Sequence, residues 1–432
     1  MGRIYTDELD EHAGHRVRLL GWLHRFRELG GVGFAVLRDA RGIAQIVVRS
    51  RSDREDLERL PLESAIEVEA EVREHEQAPG GFELVEPRIE TVAAALDPPP
   101  FDLFRPVIRA QLPTILDHAA LSLRHPVRRA ALTLSAASVA GFRACLRSQG
   151  FTEVFTPKTV GTSTESGANV FELDYFGRPA YLAQSPQLYK QLLVGVFERV
   201  FEVGPVFRAE PHDTTRHLSE YVSLDAEMGF VGDESDVITV LRSSIASMTA
   251  FAAEEGEAVE LAGAQLPDVP DGFPVLHFAD AQALVSDATG EDLSEELDLA
   301  PTHERWLCEW AVREHGSEFL IVTGFPLAKR PFYTHPDPSR PGFTRGFDLL
   351  FRGLEIVTGG QRLHRYEDYV AALTSRGETV EGLEWYLEAF RHGMPPHGGF
   401  AIGLERWVAQ LIGAANVRDV RAFPRDVTRL KP

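Results

Sequence analysis

Between residues 15 and 95 the chain alternates apolar and polar positions in five short runs, RVRLLGWL, GFAVLRD, IAQIVVRS, AIEVEAEVRE and GFELVEPRIETV. A period of two is the mark of half-buried strands. Glycine-rich or polar turns (LGG, DARG, APGG) separate the runs, and one helical stretch, SDREDLERL, follows the third. Five strands with a helix after the third predict a small closed barrel of the OB type. The proline-rich stretch LDPPPFDLFRP at residues 96–106 then marks a boundary. The pattern divides the chain into a barrel domain over residues 1–104, a linker over 105–125 and a larger domain over 126–432.

The larger domain opens with helical spacing. Val127, Leu132, Leu134, Val139, Phe142 and Leu146 form an apolar stripe that ends at Gly150, a helix-stop residue. GFTEVFTPKTV reads as a strand running into Pro157. Proline cannot donate to a ladder, so this strand ends there or lies at a sheet edge, where a second subunit can dock. A Gly/Ser/Thr loop with Glu165 and a hairpin come next, and Gln184-Ser185-Pro186-Gln187 starts a helix carrying Lys190. Gln187 and Lys190, three apart, share one face of it. Residues 206–230, VFRAEPHDTTRHLSEYVSLDAEMGF, read as two strands joined by a loop too long for a tight turn. Further on, FTRGFDLLFRGLEIVTGG predicts a hairpin turning at Arg352-Gly353, and HGGFAIGLERWVAQLIG a glycine-rich strand running into an apolar helix. The expected fold class is α+β, in more than one domain.

Candidate chemistry gathers on these strands. Residues 206–230 carry Arg208, Glu210, Arg216, His217, Glu220, Tyr221, Asp225 and Glu227 among apolar positions. Facing so many charges inward is costly unless a charged ligand meets them, and two arginines with a histidine suit a polyphosphate. A solvated hairpin is the plainer alternative. Arg406, at the end of the glycine-rich strand, stands as a second phosphate clamp. In the predicted hairpin Leu350 faces Glu355, which makes Asp348 and Glu355 diagonal neighbours, roughly 7 Å apart at Cβ. Carboxylates that close repel unless a cation intervenes, and Mg²⁺ held together with substrate phosphate is the natural one; two exposed carboxylates on a surface hairpin are the alternative. On the barrel, Arg25, Arg27, Phe34 and Gln45 fall in the first three strands, the face through which OB barrels bind single-stranded nucleic acid. Alternatively Phe34 is core and the arginines are solvated.

Charge refines this picture. A net charge of −21 argues against a nucleic-acid binder until its distribution is seen. Residues 254–304 hold 14 Asp and Glu and no Lys or Arg except beyond their ends, whereas residues 12–52 hold eight Arg against Glu28 and Asp39. The acidic stretch shows no chemistry and reads as a solvated insertion. Arginine outnumbers lysine 40 to four, so Lys158, Lys190 and Lys329 each raise the question of what arginine could not do there. Cys145 and Cys308 are too few and too far apart for a disulfide framework or a cysteine zinc site. No apolar run nears the roughly 20 residues a membrane helix needs, and no signal-peptide core opens the chain, so the cytoplasm is the expected compartment.

Three stretches resemble, in order, the signature motifs of class II aminoacyl-tRNA synthetases: GFTEVFTPKTV as motif 1 centred on Pro157, FRAE…RHLSEY (Phe207 to Tyr221) as motif 2, and GLER (Gly403 to Arg406) as motif 3. A barrel preceding the catalytic domain resembles subclass IIb. QSPQLYKQ (Gln184 to Gln191) and GGQRLH (Gly359 to His364) resemble the aspartyl enzymes of the compact archaeal type. The resemblance implies an antiparallel sheet flanked by helices, motif 1 at a homodimer interface, ATP and Mg²⁺ as cofactors, and anticodon binding by the barrel. It implies that Arg208 binds the α-phosphate and the activated carboxylate, and that Glu210, Arg216, His217 and Leu218 hold the nucleotide with Tyr221 or His217 against adenine. Gly403, Leu404 and Glu405 join them, and Arg406 meets the γ-phosphate. Asp348 and Glu355, with Thr358, hold the metal. Glu165, Ser185 and Gln187 hold the amino-acid ammonium, while Lys190 and Arg362 take the side-chain carboxylate and Asp225 orients Lys190. Thr358 stands where archaeal-type members usually have Ser, and Ala401 where many have Gly.

Aspartate and asparagine are nearly isosteric, so charge must separate them. An amide would leave Lys190 and Arg362 short of a partner, which costs roughly 3–5 kcal/mol in a desolvated site. Asparaginyl relatives tend to have an acidic residue where Lys190 stands. The implied substrates are therefore L-aspartate and tRNA-Asp. His24 in the first strand and Pro79 in the facing loop stand where strict relatives differ, which extends the expectation to tRNA-Asn and hand-over to an amidotransferase. An asparaginyl enzyme or a non-catalytic tRNA-binding paralogue are the rivals; the second is disfavoured by the presence of Arg208, Glu355 and Arg406 together.

Overall fold

The computed structural model describes residues 2–161, 169–211 and 213–431. Its two compact units are Met1–His125 and Pro126–Pro432.

The first unit is the expected barrel. Strands β1 (Arg16–Leu29), β2 (Val32–Arg38) and β3 (Ile43–Val48) are followed by helix α1 (Arg51–Arg59), then β4 (Ala65–Glu74) and β5 (Phe82–Ala93). The sheet closes in the order β1-β2-β3-β5-β4, with β4 returning antiparallel to β1 and β3 running parallel to β5. Alternation drives closure: Val17, Leu19 and Leu23 of β1 and Ile66, Val68, Ala70 and Val72 of β4 point into one buried core. A bulge interrupts the β1–β2 register between Leu23 and Arg25. The extra residue is His24, which is buried. The stretch expected to be a linker instead belongs to this unit: its short helices α2 (Leu112–Asp117) and α3 (Ala119–Ser122) are followed by Arg124, whose guanidinium reaches Glu63 at 3.0 Å.

Glu63 ties the unit together. Its buried carboxylate also accepts from Arg38 Nη2 at 2.7 Å and lies 2.8 Å from His24 Nδ1. Burial pushes its pKa up, but the hydrogen bonds from His24, Arg38 and Arg124 outweigh that and bring it down to about 2.

The second unit is built on an eight-stranded sheet. After α4 (Pro126–Ser148), β6 (Thr152–Glu153) forms one edge; β7 (Thr159–Val160), β8 (Glu172–Tyr175) and β9 (Arg178–Leu182) make a small separate sheet. Helix α5 (Gln187–Phe197) leads into β10 (Arg199–Phe207) and β11 (Glu220–Gly229), and α6 (Glu234–Glu254) and α7 (Gly256–Ala262) follow. Next come β12 (Val275–His277), α8 (Phe278–Thr289), α9 (Pro301–His315), β13 (Phe319–Thr323), β14 (Gly346–Phe351) and β15 (Leu354–Arg362). Helices α10 (Tyr366–Ser375) and α11 (Glu384–Phe390), strand β16 (His397–Gly403) and helix α12 (Leu404–Leu411) complete it. The strand order is β12-β13-β14-β15-β16-β11-β10-β6, antiparallel through the middle and parallel at each end.

Two expectations change here. Helix α4 buries Ala130, Ala137 and Gly141 beside Leu134, Phe142 and Leu146, whereas Val127, Leu132 and Val139 are only partly covered. Small residues matter because α6 crosses closely: a Cβ on Gly141 would come 2.5 Å from the Ser247 carbonyl. The acidic segment 254–304 is no solvated insertion either. Its β12 extends the central sheet, and Phe278, Ala281, Val285, Leu293 and Leu299 are buried with Leu320, Val322 and Phe325. Its carboxylates are exposed except Glu304, which is buried, and their number hid an ordinary apolar period. The loop between β13 and β14, residues 324–345, lies beside this cluster through Phe325 and Phe343.

Because the folded Glu63 pKa lies below its usual 4.5, its stabilisation is complete above about pH 5 and drains away as pH falls towards 2. Replacing Glu63 by Gln should cost about 3 kcal/mol. Hydrogen exchange of the full chain should then quicken across β1, β2 and β4, and protection in those strands should no longer fall between pH 5 and 3 as it does in the parent.

Candidate active site

Strands β10 and β11 pair through Phe207 and Glu220, so the sequence-predicted loop emerges from the sheet with Arg208 at its root. The Arg208 amide donates to Ser219 O at 2.9 Å, and its guanidinium lies 6.0 Å from the Tyr221 ring. Arg216 is held by a residue that the sequence reading passed over. Its Nη2 donates to both oxygens of Glu304 at 3.1 and 2.8 Å, and Glu304 also accepts from the Glu355 amide at 3.3 Å. Burial pushes the Glu304 carboxyl up, Arg216 pulls it back and the charge of Glu355 pushes it up again. His217 Nδ1 is 2.6 Å from Thr214 Oγ1, Glu210 is half-buried, and Leu218 packs against the main core.

On the neighbouring hairpin Leu350 faces Glu355, as expected, and a bulge at Ile356 then sets Asp348 opposite Thr358. Thr358 Oγ1 donates to Glu355 Oε1 at 3.0 Å, so the hydroxyl serves the carboxylate and the added methyl group is tolerated. The carboxylates are met by guanidinium groups. Arg406 Nη1 donates to Glu355 O at 2.9 Å and lies 3.4 Å from its Oε2, while Arg330 Nη2 lies 2.7 Å from Asp348 Oδ2. Burial, with the charge of Glu355, outweighs the pull of Arg330 and brings the Asp348 carboxyl up to about 7. Glu355 itself stays below the usual range, because Arg406 and Thr358 outweigh its burial.

Glu405 and Leu404 are not disposed towards this site. The Glu405 carboxylate is buried, accepting from the Val222 amide at 3.1 Å and from Arg421 Nη1 at 2.9 Å, and Leu404 is core. As β16 turns directly into α12 at Gly403, the helical period sends these two side chains inward and leaves Arg406 at the surface of the sheet.

Beneath lies a cluster of four buried charges. Lys190 Nζ from α5 donates to Asp225 Oδ1 at 3.0 Å and to Phe400 O at 3.4 Å, and lies 3.3 Å from Glu227 Oε2. Arg362 Nε donates to Glu227 Oε1 at 3.1 Å; its Nη2 donates to Gly399 O at 3.1 Å and Gln187 Oε1 at 3.3 Å. Ser185 Oγ receives the Gln187 amide at 3.0 Å, and Asp225 Oδ2 receives the Ser223 hydroxyl at 2.5 Å. Asp225 meets Lys190, the residue it was expected to orient, and Glu227 adds a second acid that lies against both cations. Glu227 had no assigned part. Burial raises its carboxyl, but Arg362, Lys190 and His397 more than reverse that.

One glycine of β16 makes room for this cluster. Gly399 faces Glu227 across the sheet, and a Cβ there would meet Ala226 O at 2.1 Å and Glu227 Oε2 at 2.2 Å. Glu165 lies outside the described residues.

On the first unit, Arg25, Val36 and Gln45 form one cross-strand row on the outer face, and Arg27, Phe34 and Val47 the next. Phe34 is outside the barrel core, with the Arg27 guanidinium 5.5 Å from its ring. Arg25 lies 4.2 Å from the Phe104 ring. Pro79 begins the short turn Pro79–Gly81. His24 departs from expectation: it is buried against Glu63, its ring centroid 5.5 Å from that of Phe104, and does not present its ring on this face. The bulge, invisible to a strict period of two, decided this.

Residues 111–427 match the family of class II tRNA synthetases (D, K and N), and residues 17–92 match the OB-fold nucleic acid binding domain. The chain belongs to the class II tRNA synthetases. It is 48% identical to an aspartate–tRNA(Asp/Asn) ligase of Deinococcus radiodurans, over 100% of this chain and 99% of the relative. The corresponding ligase of Thermus thermophilus is 47% identical over the full length of both. An aspartate–tRNA(Asp) ligase of Pyrococcus horikoshii is 35% identical over 99% of each. Among solved structures, asparaginyl-tRNA synthetase from Pyrococcus horikoshii complexed with asparaginyl-adenylate superposes with a TM-score of 0.92 at 30% identity, covering both chains fully.

In this synthetase Glu227, Glu304 and Arg330 are the site residues that sequence reasoning missed. Asp225 and Glu227, two apart on one strand, must share a sheet face, and Gly399 is the sole partner small enough to admit the second; that pairing was the available signal. Glu304 and Arg330 carry no local signal.

Gly399→Ala should displace the Glu227 carboxylate and destabilise the protein by about 3 kcal/mol, as overpacking does. Calorimetry should show a lowered Tm, and aspartate binding by titration calorimetry should weaken more than ATP binding does.

Proposed function

We propose that this synthetase is an aspartate–tRNA ligase. The α-carboxylate of L-aspartate attacks the α-phosphorus of ATP, pyrophosphate leaves, and a terminal ribose hydroxyl of tRNA then attacks the carbonyl of the adenylate, releasing AMP. No protein nucleophile is required; catalysis is positioning and charge neutralisation. Arg208 binds the α-phosphate and the activated carboxylate, Arg216 and His217 with Glu210 hold the nucleotide, and Arg406 meets the γ-phosphate. Glu165, Ser185 and Gln187 hold the ammonium group. The observation that carries the aspartate assignment is the buried Lys190–Arg362 pair on one wall of Gln187 and Asp225, supported by the names of the relatives that align over the full length. An acid at Lys190 would suit an amide; a lysine suits a carboxylate.

Mg²⁺ fits the other pair. Asp348 Oδ1 is buried and accepts no hydrogen bond, and the second hard oxygen donor, Glu355, is its neighbour on the hairpin. Asp348, Glu355 and Thr358 would hold the ion, which when bound neutralises charge on the phosphate oxygens.

The barrel reads the anticodon through Arg25, Arg27, Phe34, Gln45 and Pro79, with His24 acting from beneath. The relatives named for both tRNAs support charging of tRNA-Asn as well as tRNA-Asp, the misacylated product passing to an amidotransferase. The enzyme works in the cytoplasm; none of its described helices is long and apolar enough to cross a membrane. It acts as a homodimer through the edge at β6, where Phe155 is 82% exposed beside Pro157. Lys158 supports that segment through Glu202, 2.8 Å away.

Pyrophosphate exchange across the twenty amino acids should respond to aspartate alone, and Lys190→Glu or Arg362→Leu should reduce it at least a hundredfold; retained aspartate-dependent exchange in either variant would sink the assignment. Aspartylation of a tRNA-Asn transcript should approach that of tRNA-Asp, and a rate equal to that of a non-cognate tRNA would reject the dual specificity.

A further inference from the structure

Arg330 lies in the loop between β13 and β14 and belongs to none of the resembling motifs, yet it is 9% exposed. Its guanidinium carbon sits 3.9 Å from the centre of the Phe325 ring, and its backbone carbonyl accepts from Arg376 Nη2 at 2.7 Å. Nη2 reaches Asp348 Oδ2, while Nε is buried and donates to nothing. On the far side of the pair Arg406 meets Glu355, so two guanidinium groups balance two carboxylates before any ligand arrives. A buried N–H without an acceptor is costly and points to a ligand that supplies one.

We propose that Arg330 is the resident counter-ion of the Asp348–Glu355 pair, excluding free divalent cations from it until a triphosphate brings both the metal and an acceptor for the guanidinium. This rests on the reading of that pair as metal ligands. A lone Mg²⁺ would face two fixed positive charges at close range and gain only carboxylates already neutralised. A triphosphate reverses the balance: its oxygens accept from Arg330, and Asp348 is released to the ion. Phe325 keeps the guanidinium poised, since an aromatic face holds a cation without consuming its N–H groups. Arg330 is on this account a positioning residue that sets the order of metal and nucleotide entry.

Mn²⁺ is the probe, titrated into the full-length protein without nucleotide and followed by electron paramagnetic resonance at pH 8.5, where the carboxylates are ionised. Arg330→Gln should bind Mn²⁺ at least tenfold more tightly than the parent. Arg330→Lys, which keeps the charge, should bind like the parent. Equal or weaker Mn²⁺ binding by Arg330→Gln overturns the proposal. Should that variant fail to fold, Phe325→Leu, which frees the guanidinium, should also tighten Mn²⁺ binding, and no change there overturns it equally. Asp348→Asn separates the two readings: it should abolish the gain in the Arg330→Gln background. If instead Asp348→Asn leaves Mn²⁺ binding in the presence of ATP untouched, the metal assignment itself falls.

Discussion

Lys190, Arg362, Asp225 and Glu227 occupy one space closed to water, and the central sheet is arranged so that they can. An isolated buried ion costs several kcal/mol, so each of the four is admissible only because the others are in place. Three strands and a helix must meet to achieve this: α5 brings Lys190, β11 the two acids, β15 the arginine and β16 the glycine that makes room for them. Gly399 is the pivot, because Glu227 fills the volume its Cβ would take. Behind the charges runs a neutral buried network. Gln191 bonds to Tyr369, Tyr386 and His397 at 3.1, 3.0 and 2.9 Å. Burial brings the His397 pKa down to about 4, so at neutral pH its ring adds no charge, donating to Pro395 O at 2.8 Å and facing Gln191 with its other nitrogen. Two cations and two carboxylates are thus held against one another in one buried cluster.

The arginines near the β14–β15 hairpin follow the same principle of matched charge. Arg216 rests on Glu304, Arg406 on Glu355 and Arg330 on Asp348. Such pairs keep long side chains in one place. Lysine in this arginine-rich chain is used where a compact cation fits and a planar fork does not: Lys190 and Lys158 each serve a buried acid at short range.

Much of this was legible. The period of two placed all five barrel strands, and the Arg352-Gly353 turn aligned Leu350 with Glu355; the strand expected to run into Pro157 lies at the sheet edge but ends at Glu153. The failures share a cause. Residues 254–304 looked like decoration because composition was read in place of periodicity. His24 was named for anticodon recognition by resemblance, and the bulge that buries it is invisible to a period of two. Glu405 was given to the ligand because motif membership does not say which way a helix turns.

What the sequence by itself determined is local: where strands and helices begin and end, and which residue types stand ready for phosphate, metal and carboxylate. Strand and helix periods are properties of neighbouring residues, so they survive without the fold. Only the tertiary structure decided which charges are paired with which. Glu304 lies 88 positions from Arg216, and Arg362 lies 135 from Glu227. Electrostatic partnership depends on distance through a desolvated interior, and no local pattern encodes that distance.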